Sequence, residues 1–178
     1  MLTMKKSDIN PMPEYFDRYI NLLADIELSQ AFENSIEQLE ALDKDFLKRL
    51  DGNVYAAEKW TVKGIFQHLI DFERILSYRA LLFARKEGST PQGIDENLLA
   101  VNMSADRRSV DELIEELKIV RLGTKTLFES FDDKDLLNVG VSWKYEISVL
   151  AMGFNIIGHQ IHHFNVIENK YFPLIQNN

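Results

Sequence analysis

Apolar residues recur at steps of three and four along most of this chain, and this spacing is what most constrains its fold. The clearest stretch runs from about Leu28 to Leu50 and carries the apolar positions Phe32, Ile36, Leu39, Leu42, Phe46, Leu47 and Leu50. Such spacing places the apolar side chains on one face of a helix. No alternating apolar and polar stretch is long enough to start a β-sheet. The pattern therefore predicts an all-α fold.

Three further long helices follow, and the same pattern places them at residues 62–87, 110–130 and 148–171. Thr61 is a suitable N-cap for the first of these, which ends before "GSTPQG". Ser109 and Glu112 form a capping box at the start of the second. Pro173 ends the last one. Four long amphipathic helices predict a four-helix bundle.

The remaining segments are expected to be short or irregular. Residues 1 to 27 form an N-terminal arm in which "PEYFDRYINLL" predicts a short helix. The segment "GIDENLLAVNM" is expected to be a loop with one helical turn, placed to cover an end of the bundle, and "DDKDLLNVGVSWKYE" is expected to be a connector. Because 178 residues contain no internal repeat or long linker, residues 1–178 are predicted to form a single domain.

The composition excludes several classes of function. The formal charge of -8 disfavours a nucleic-acid partner, whose phosphates need a basic face. No run approaches 18 apolar residues and no signal-peptide core is present, so no membrane partner is expected and the expected location is the cytoplasm. The motifs G-x-G-x-x-G, G-x-S-x-G and H-E-x-x-H are absent. Because the chain has no cysteine, any metal must be bound by His, Asp or Glu.

The four histidines are the most chemically specific feature of the sequence. Three of them lie in "GHQIHHF" on the last long helix. His159 and His163 are four residues apart, so they share one face of the helix with their Cβ atoms about 6 Å from each other, and two such imidazoles can bind one ion. His162 is rotated by about 100° from His163 and is assigned to the flank of the site.

The fourth histidine, His68, lies in "FQHLIDFER" on the second long helix, on a line of residues expected to face the interior. If the second and fourth long helices pack as neighbours, His68 completes a three-imidazole site with His159 and His163 and leaves a position for water or substrate. The alternative is a set of hydrogen-bonded core histidines without a metal, because the H-x-x-x-H spacing alone is weak evidence. The residues by themselves leave both interpretations open.

Two carboxylates follow His68 on the same helix. Asp71, three positions on, is placed to hydrogen-bond an imidazole or to hold a water at the metal. A solvent-exposed carboxylate is an equally good interpretation of Asp71. Glu73 points in another direction, and we expect it to be exposed.

Arg79 shares the inward line of His68 but lies about 16 Å further along the helix axis, too far to touch the same ion. A buried arginine needs a carboxylate partner. We therefore expect an ion pair between Arg79 and Asp95 or Glu96 that fastens the "GIDEN" loop to the helix.

The segments "EKWTVKGIFQHLIDFERILSYRALLFAR", "GIDENLL" and "SVLAMGFNIIGHQIHHFNVIENKYF" occur in an order that resembles the DinB-like superfamily of four-helix bundles. The resemblance covers about residues 55 to 172. It implies a divalent metal bound by His68, His159 and His163, and a homodimer. Its members include proteins resembling metal-dependent hydrolases, thiol S-transferases and a thiol-dependent isomerase, so the resemblance does not select a reaction.

The leading hypothesis is an enzyme in which a zinc or nickel ion, held by three neutral histidines, activates water or a thiol. It would act on a small-molecule substrate, for which a low-molecular-weight thiol is one candidate. Asp71 and His162 are the candidate catalytic residues, as groups that orient a ligand or move a proton. The alternative is a non-catalytic bundle that binds a metal or a small molecule.

Overall fold

A computed structural model describes residues 2–176. Its helices, in chain order, are α1 (Asp17–Ile20), α2 (Leu28–Glu40), α3 (Lys44–Arg49), α4 (Val62–Ala84), α5 (Glu96–Asn102), α6 (Val110–Glu129), α7 (Asp133–Leu136), α8 (Val149–Val166) and α9 (Pro173–Gln176). Two 3-10 turns lie at Lys6–Asp8 and Ala105–Arg107, and a π-helical segment, Ile167–Tyr171, extends α8. The strands β1 (Val139–Ser142) and β2 (Tyr145–Ser148) form a hairpin between α7 and α8.

The four long helices α2, α4, α6 and α8 form the predicted bundle. Both α2 and α4 pack against α6 and α8, so α2 and α4 occupy opposite corners. The short helix α1 packs against α8. The contact between α4 and α8 is the one on which a shared histidine site depends. Within residues 2–176, no helix combines the length and apolar character needed to cross a membrane.

Polar N-caps start three of the four long helices, α4, α6 and α8, at the positions that the sequence indicates. The hydroxyl of Thr61 accepts a hydrogen bond from the backbone N of Gly64 at 3.1 Å. Ser148 plays the same part for α8, and Ser109 forms the predicted capping box with Glu112. Each cap satisfies a backbone N–H that has no partner inside its helix.

The prediction of one continuous helix over residues 28–50 is wrong, because α2 ends at Glu40 and α3 begins four residues later, at Lys44. The Asp43 carboxylate accepts a hydrogen bond from the backbone N of Phe46 at 2.9 Å and so starts the new helix. Aspartate in this position competes with the bonds of a continuing helix. The apolar spacing runs on across the turn, which is why it concealed the break.

The β-hairpin is a second departure from the prediction, since the segment before α8 was expected to be a connector without strands. The strands pair antiparallel through four residues each, too few to show the alternation that identifies a strand in a sequence. Gly140 lets the hairpin lie against α4, because a Cβ there would be 2.1 Å from a ring carbon of Phe83. The hairpin therefore sits directly on the helix that carries His68 and Arg79.

The "GIDENLL" segment contains more helix than expected, because α5 extends over seven residues. Asp95 is its N-cap and accepts a hydrogen bond from the backbone N of Leu98 at 3.0 Å. Residues 93–97 lie over the bundle and form one wall of a pocket beside α4 and α8.

A layer of buried polar side chains separates two apolar clusters in the core. One cluster gathers the start of α2 and most of α8, and the other gathers α3 with the N-terminal halves of α4 and α6. Every long helix contributes to the layer between them, which contains Ser35, Glu73, Arg121, Thr124, His159 and Gln160.

Glu73 is buried in this layer, so the prediction of an exposed carboxylate is wrong. It accepts hydrogen bonds from Nε and Nη2 of Arg121 at 2.8 and 2.9 Å. The two side chains are 3% and 1% exposed. Buried charges are tolerated when they are paired and hydrogen-bonded, and this pair joins α4 to α6.

Candidate metal centre and adjoining pocket

His68, His159 and His163 come together where α4 packs against α8. The Nε2 atom of His159 lies 3.1 Å from Nε2 of His68 and 3.1 Å from Nε2 of His163. Ring centroids in the cluster are 4.6 to 4.9 Å apart. The structure thus joins, in one cluster, the three residues that helical spacing selected from two distant segments.

The geometry of the cluster fits a divalent metal better than a set of hydrogen bonds. Two histidine nitrogens bound to zinc at about 2.0 to 2.1 Å, with angles of about 90° to 110°, lie about 2.8 to 3.4 Å apart. The observed separations of 3.1 Å fall in that range. Hydrogen bonds alone would ask Nε2 of His159 to serve two partners at once, whereas a neutral imidazole nitrogen has either one proton or one lone pair.

Burial keeps the three imidazoles neutral. Desolvation, with repulsion from His162, lowers the pKa of His68 to about 4. Desolvation and then repulsion from His68 and His162 lower the pKa of His163 to about 3. Desolvation also lowers the pKa of His159 well below its usual value, with the neighbouring histidines adding to the effect. Because metal ions bind the neutral form, the cluster is in its metal-binding state at neutral pH.

Aromatic side chains surround the cluster and hold the rings in place. The ring centroids of Trp60 and Phe72 are 4.6 and 4.5 Å from that of His68. The ring of Tyr19, from α1, meets His159 at 5.2 Å. Trp60 is itself fixed, because its backbone carbonyl accepts a hydrogen bond from the Tyr171 hydroxyl. These walls shield the histidines from bulk water on most sides.

A pocket of about 550 Å³ opens beside His159. This large pocket lies within the size range of small-molecule sites. Its walls come from α1, α4, α8, the hairpin and residues 93–97, and they include Tyr15, Tyr19, Phe72, Arg79, Trp143 and Asn155. A second pocket of about 300 Å³ reaches His162 and His163 next to Trp60. A molecule in the large pocket would therefore meet the histidine cluster at its His159 edge.

Glu96 is a site residue that the sequence analysis considered only as a partner of Arg79. Its Oε1 atom lies 3.8 Å from Nε2 of His68. Partial burial raises the pKa of Glu96, an effect that the charge of Arg18 partly offsets. Helical spacing carries no signal for this contact, because Glu96 lies on a short helix after a long loop. The positions of Tyr19 and Arg18 at the site were also not predicted, since the N-terminal arm contains no recognisable motif.

The two candidate catalytic residues lie outside the cluster. The ring of His162 is 5.1 Å from that of His163, centroid to centroid, and its Nε2 and Nδ1 atoms are not among the converging ligand atoms. Asp71 accepts a hydrogen bond from Gln67 at 2.9 Å, and Gln67 in turn accepts one from Arg108 at 3.0 Å. These contacts draw Asp71 toward α6, so its position gives no support to a role at the histidines.

The expected ion pair of Arg79 does not form within the described part of the chain. Nη1 of Arg79 donates to the hydroxyl of Ser142 at 2.8 Å, and Nη2 donates to the backbone carbonyl of Gln92 at 3.1 Å. Neither candidate carboxylate is free for it, because Asp95 caps α5 and Glu96 points to the histidine cluster. Arg79 instead ties the hairpin and the preceding loop to α4.

The fold and the site together define a class of protein, a four-helix bundle in which two helices bring three histidines to one point. The profile of the DinB superfamily matches residues 16–167. The chain therefore belongs to the DinB superfamily, as the resemblance in its sequence indicated.

Among solved structures, YfiT from Bacillus subtilis shares the fold, with a TM-score of 0.66 and 17% sequence identity. The similarity covers 94% of this chain and 90% of that chain. YfiT is described as a probable metal-dependent hydrolase with an unusual four-helix bundle topology. No curated protein sequence matches this chain significantly.

Proposed function

We propose that this protein is a metal-dependent enzyme of the hydrolase or thiol S-transferase type, in which His68, His159 and His163 hold a divalent ion. The observation that carries the proposal is the convergence of three Nε2 atoms, of buried His68 and His159 and of half-buried His163, at the wall of the large pocket. The Nε2 atom of His159 lies 3.1 Å from each of the other two. Burying three polar rings costs free energy, which a bound cation offsets. The description of YfiT as a probable metal-dependent hydrolase agrees with this function.

Zinc or nickel is the ion we propose, because imidazole ligands suit both. A divalent ion in such a site lowers the pKa of water or of a thiol toward neutrality and polarises a carbonyl group. The protein contributes a dry, aromatic surround and a pocket that directs the substrate to the His159 edge. Because the three imidazole rings are already neutral, they do not have to release a proton before they bind the ion.

Glu96 is the group that we propose accepts the proton of the nucleophile, be it water or a thiol. Its carboxylate lies 3.8 Å from Nε2 of His68 and about half of its side chain remains exposed, so it can reach a molecule held at the cluster. A pKa raised by partial burial brings Glu96 closer to neutral pH, where a general base is most effective. His162, which lines the smaller pocket, is the candidate for passing that proton to solvent.

A non-catalytic metal site is the second candidate function. Structural zinc sites are closed by a fourth protein ligand, whereas catalytic sites keep one position for water or substrate. Within residues 2–176, the group of ligand atoms that converges here consists of the three histidines alone. The large pocket beside them therefore favours the enzyme.

Metal analysis of gently purified protein tests the site. We expect about one divalent ion per chain in the wild type and almost none in the triple variant His68→Ala, His159→Ala, His163→Ala. The matched control is His162→Ala, which removes an imidazole from the same helix outside the cluster and should keep its metal. Equal metal content in the wild type and the triple variant would refute the assignment.

Turnover by zinc- and nickel-loaded protein tests the reaction. Aryl esters, anilides, and low-molecular-weight thiols paired with an electrophile cover the proposed reaction types. We expect Glu96→Gln to keep its metal but to lose about a hundredfold or more in kcat, the usual contribution of a general base. Glu58→Gln, at the smaller pocket, is the matched control. Metal-loaded protein without any turnover above the metal-free form would favour the non-catalytic function.

Three expectations from the sequence stay predictions. They are a low-molecular-weight thiol as co-substrate, a homodimer and a cytoplasmic location.

A further inference from the structure

Arg79 is a buried arginine whose hydrogen-bonding capacity is only partly used. The residue is 7% exposed and lines the large pocket. A guanidinium group has five N–H donors, and those given to Ser142 and Gln92 account for two of them. Within residues 2–176, no carboxylate lies at ion-pair distance from Arg79. A buried charge in this condition is costly unless a ligand completes its environment.

Asn155 is a second polar side chain that lacks a partner in the same pocket. It is 2% exposed, and its Oδ1 atom has no hydrogen-bond partner in the described part of the chain. Few buried polar groups in folded proteins stay unpaired, so each one requires an explanation. A side-chain amide can turn its NH₂ group to an acceptor oxygen. With the amide turned in this way, its NH₂ group would donate to an acceptor oxygen of a ligand in the large pocket.

The two residues lie on the same side of the histidine cluster. Asn155 precedes His159 by one turn of α8, about 6 Å along the axis. Arg79 follows His68 by about 16 Å along α4, but helical side chains lean toward the N-terminus, which brings its guanidinium back toward the cluster. Asn155 and Arg79 both lie between the histidine cluster and the hairpin, because Arg79 is bonded to Ser142 of β1 and α8 begins directly after β2. A molecule in the pocket can therefore touch the cluster at one end and Arg79 at the other.

We propose that the large pocket binds a substrate carrying a carboxylate, which Arg79 and Asn155 hold while the reactive bond lies at the histidine cluster. This assignment rests on the proposed function, because it takes the pocket as the substrate site of that enzyme. It goes further by naming a chemical class, a carboxylate-bearing small molecule with an apolar segment. The apolar segment packs against Phe72, Leu76 and Trp143 in the middle of the pocket.

Charge and shape both favour a carboxylate over other anions. One buried guanidinium balances one negative charge, and its planar fork matches the two oxygens of a carboxylate. A phosphate dianion would bring two negative charges into a pocket whose wall holds Arg18 and Arg79 but also the carboxylates Asp95 and Glu96.

The test compares two probes of the same shape, 3-phenylpropanoate and 3-phenylpropanamide, by NMR titration of the metal-free and the zinc-loaded protein. We expect the carboxylate to bind about tenfold more tightly than the amide in both forms, the usual gain from charge-assisted hydrogen bonds. Arg79→Gln should abolish this preference. The matched control is Arg85→Gln, which removes the same charge from an exposed arginine bonded to Asp135 near the end of α4.

Equal affinity of the wild type for both probes, or a preference that survives in folded Arg79→Gln, would overturn the carboxylate site. Tighter binding of 2-phenylethylphosphonate than of the carboxylate would overturn the class of anion. If Arg79→Gln does not fold, Asn155→Leu provides the test, because it removes no bond of the fold and should weaken carboxylate binding several-fold. Unchanged binding in that variant would also count against the proposal.

The same titration of the triple histidine variant separates this inference from the proposed function. The carboxylate preference should persist there, because Arg79 and Asn155 do not depend on the metal. If the triple variant keeps its metal, the proposed function is refuted. If the wild type shows no preference for the carboxylate probe over the amide probe, the carboxylate site is refuted.

Discussion

The buried pair of Glu73 and Arg121 allows a quantitative test of the structure. Glu73→Gln removes the negative charge but nearly preserves the volume, so its effect isolates the loss of the ion pair. Arg121 then keeps its charge at 1% exposure, and its Nη1 atom already has no partner in the described part of the chain. Breaking a buried pair in this way costs about 3 to 5 kcal/mol. In a chain of this size, that lowers Tm by about 6 to 20 °C.

Thermal and urea unfolding followed by circular dichroism measure this loss. The matched control is Glu116→Gln, which breaks the more exposed pairs of Glu116 with Arg74 and Arg108. Exposed pairs contribute about 1 kcal/mol or less. The double variant Glu73→Leu, Arg121→Met should recover most of the stability, because it leaves no unpaired charge. A Tm for Glu73→Gln no lower than that of the control would refute the argument.

Three further predictions follow from the same structure. Gly158→Ala should destabilise the protein by about 1 to 3 kcal/mol, since the new Cβ would lie 2.2 Å from the backbone carbonyl oxygen of Tyr19. Urea unfolding should show no such loss for the control Gly123→Ala, because nothing lies within 4 Å of a Cβ there. Asn155→Leu should raise the free energy of unfolding by about 1 kcal/mol, because it removes an unpaired buried group; an unchanged or lower urea midpoint would contradict this. The metal-free protein should lose stability as the pH falls from about 6.5 toward 4. In this range the lowered pKa of His68 means that the unfolded chain binds more protons than the folded one. A urea midpoint that does not change with pH in that range would refute this prediction.

The histidine cluster could be predicted because its information is local. His159 and His163 are four residues apart on one helix, and His68 falls on the inward line of another, so each position follows from helical period alone. The one assumption was that α4 and α8 are neighbours, and the structure shows that contact. The same local signals located the N-caps at Thr61 and Ser109.

The errors at the site involve contacts between residues far apart in sequence. The period of α4 indicated in which direction Glu73 points but not that Arg121 lies there, 48 residues away. Asp95 or Glu96 was expected to pair with Arg79 because a buried arginine needs a carboxylate. Instead, Asp95 is the N-cap that starts α5, and Glu96 lies next to the histidine cluster. Arg79 then meets a hairpin that four-residue strands did not reveal.

The polar layer of the core also bears on the candidate metal centre. His159 belongs to it, and its pKa is lowered first by burial, then by the neighbouring histidines, and to a smaller extent by Arg121. An unpaired arginine so close would disfavour a divalent cation for the same reason that it disfavours a proton, namely repulsion in a medium of low dielectric constant. Glu73 cancels most of that charge at 2.8 Å from Nε of Arg121. Burial can thus keep the imidazoles neutral without a net positive field that would repel the ion, so the pair that joins α4 to α6 also makes the histidine cluster suitable for a metal.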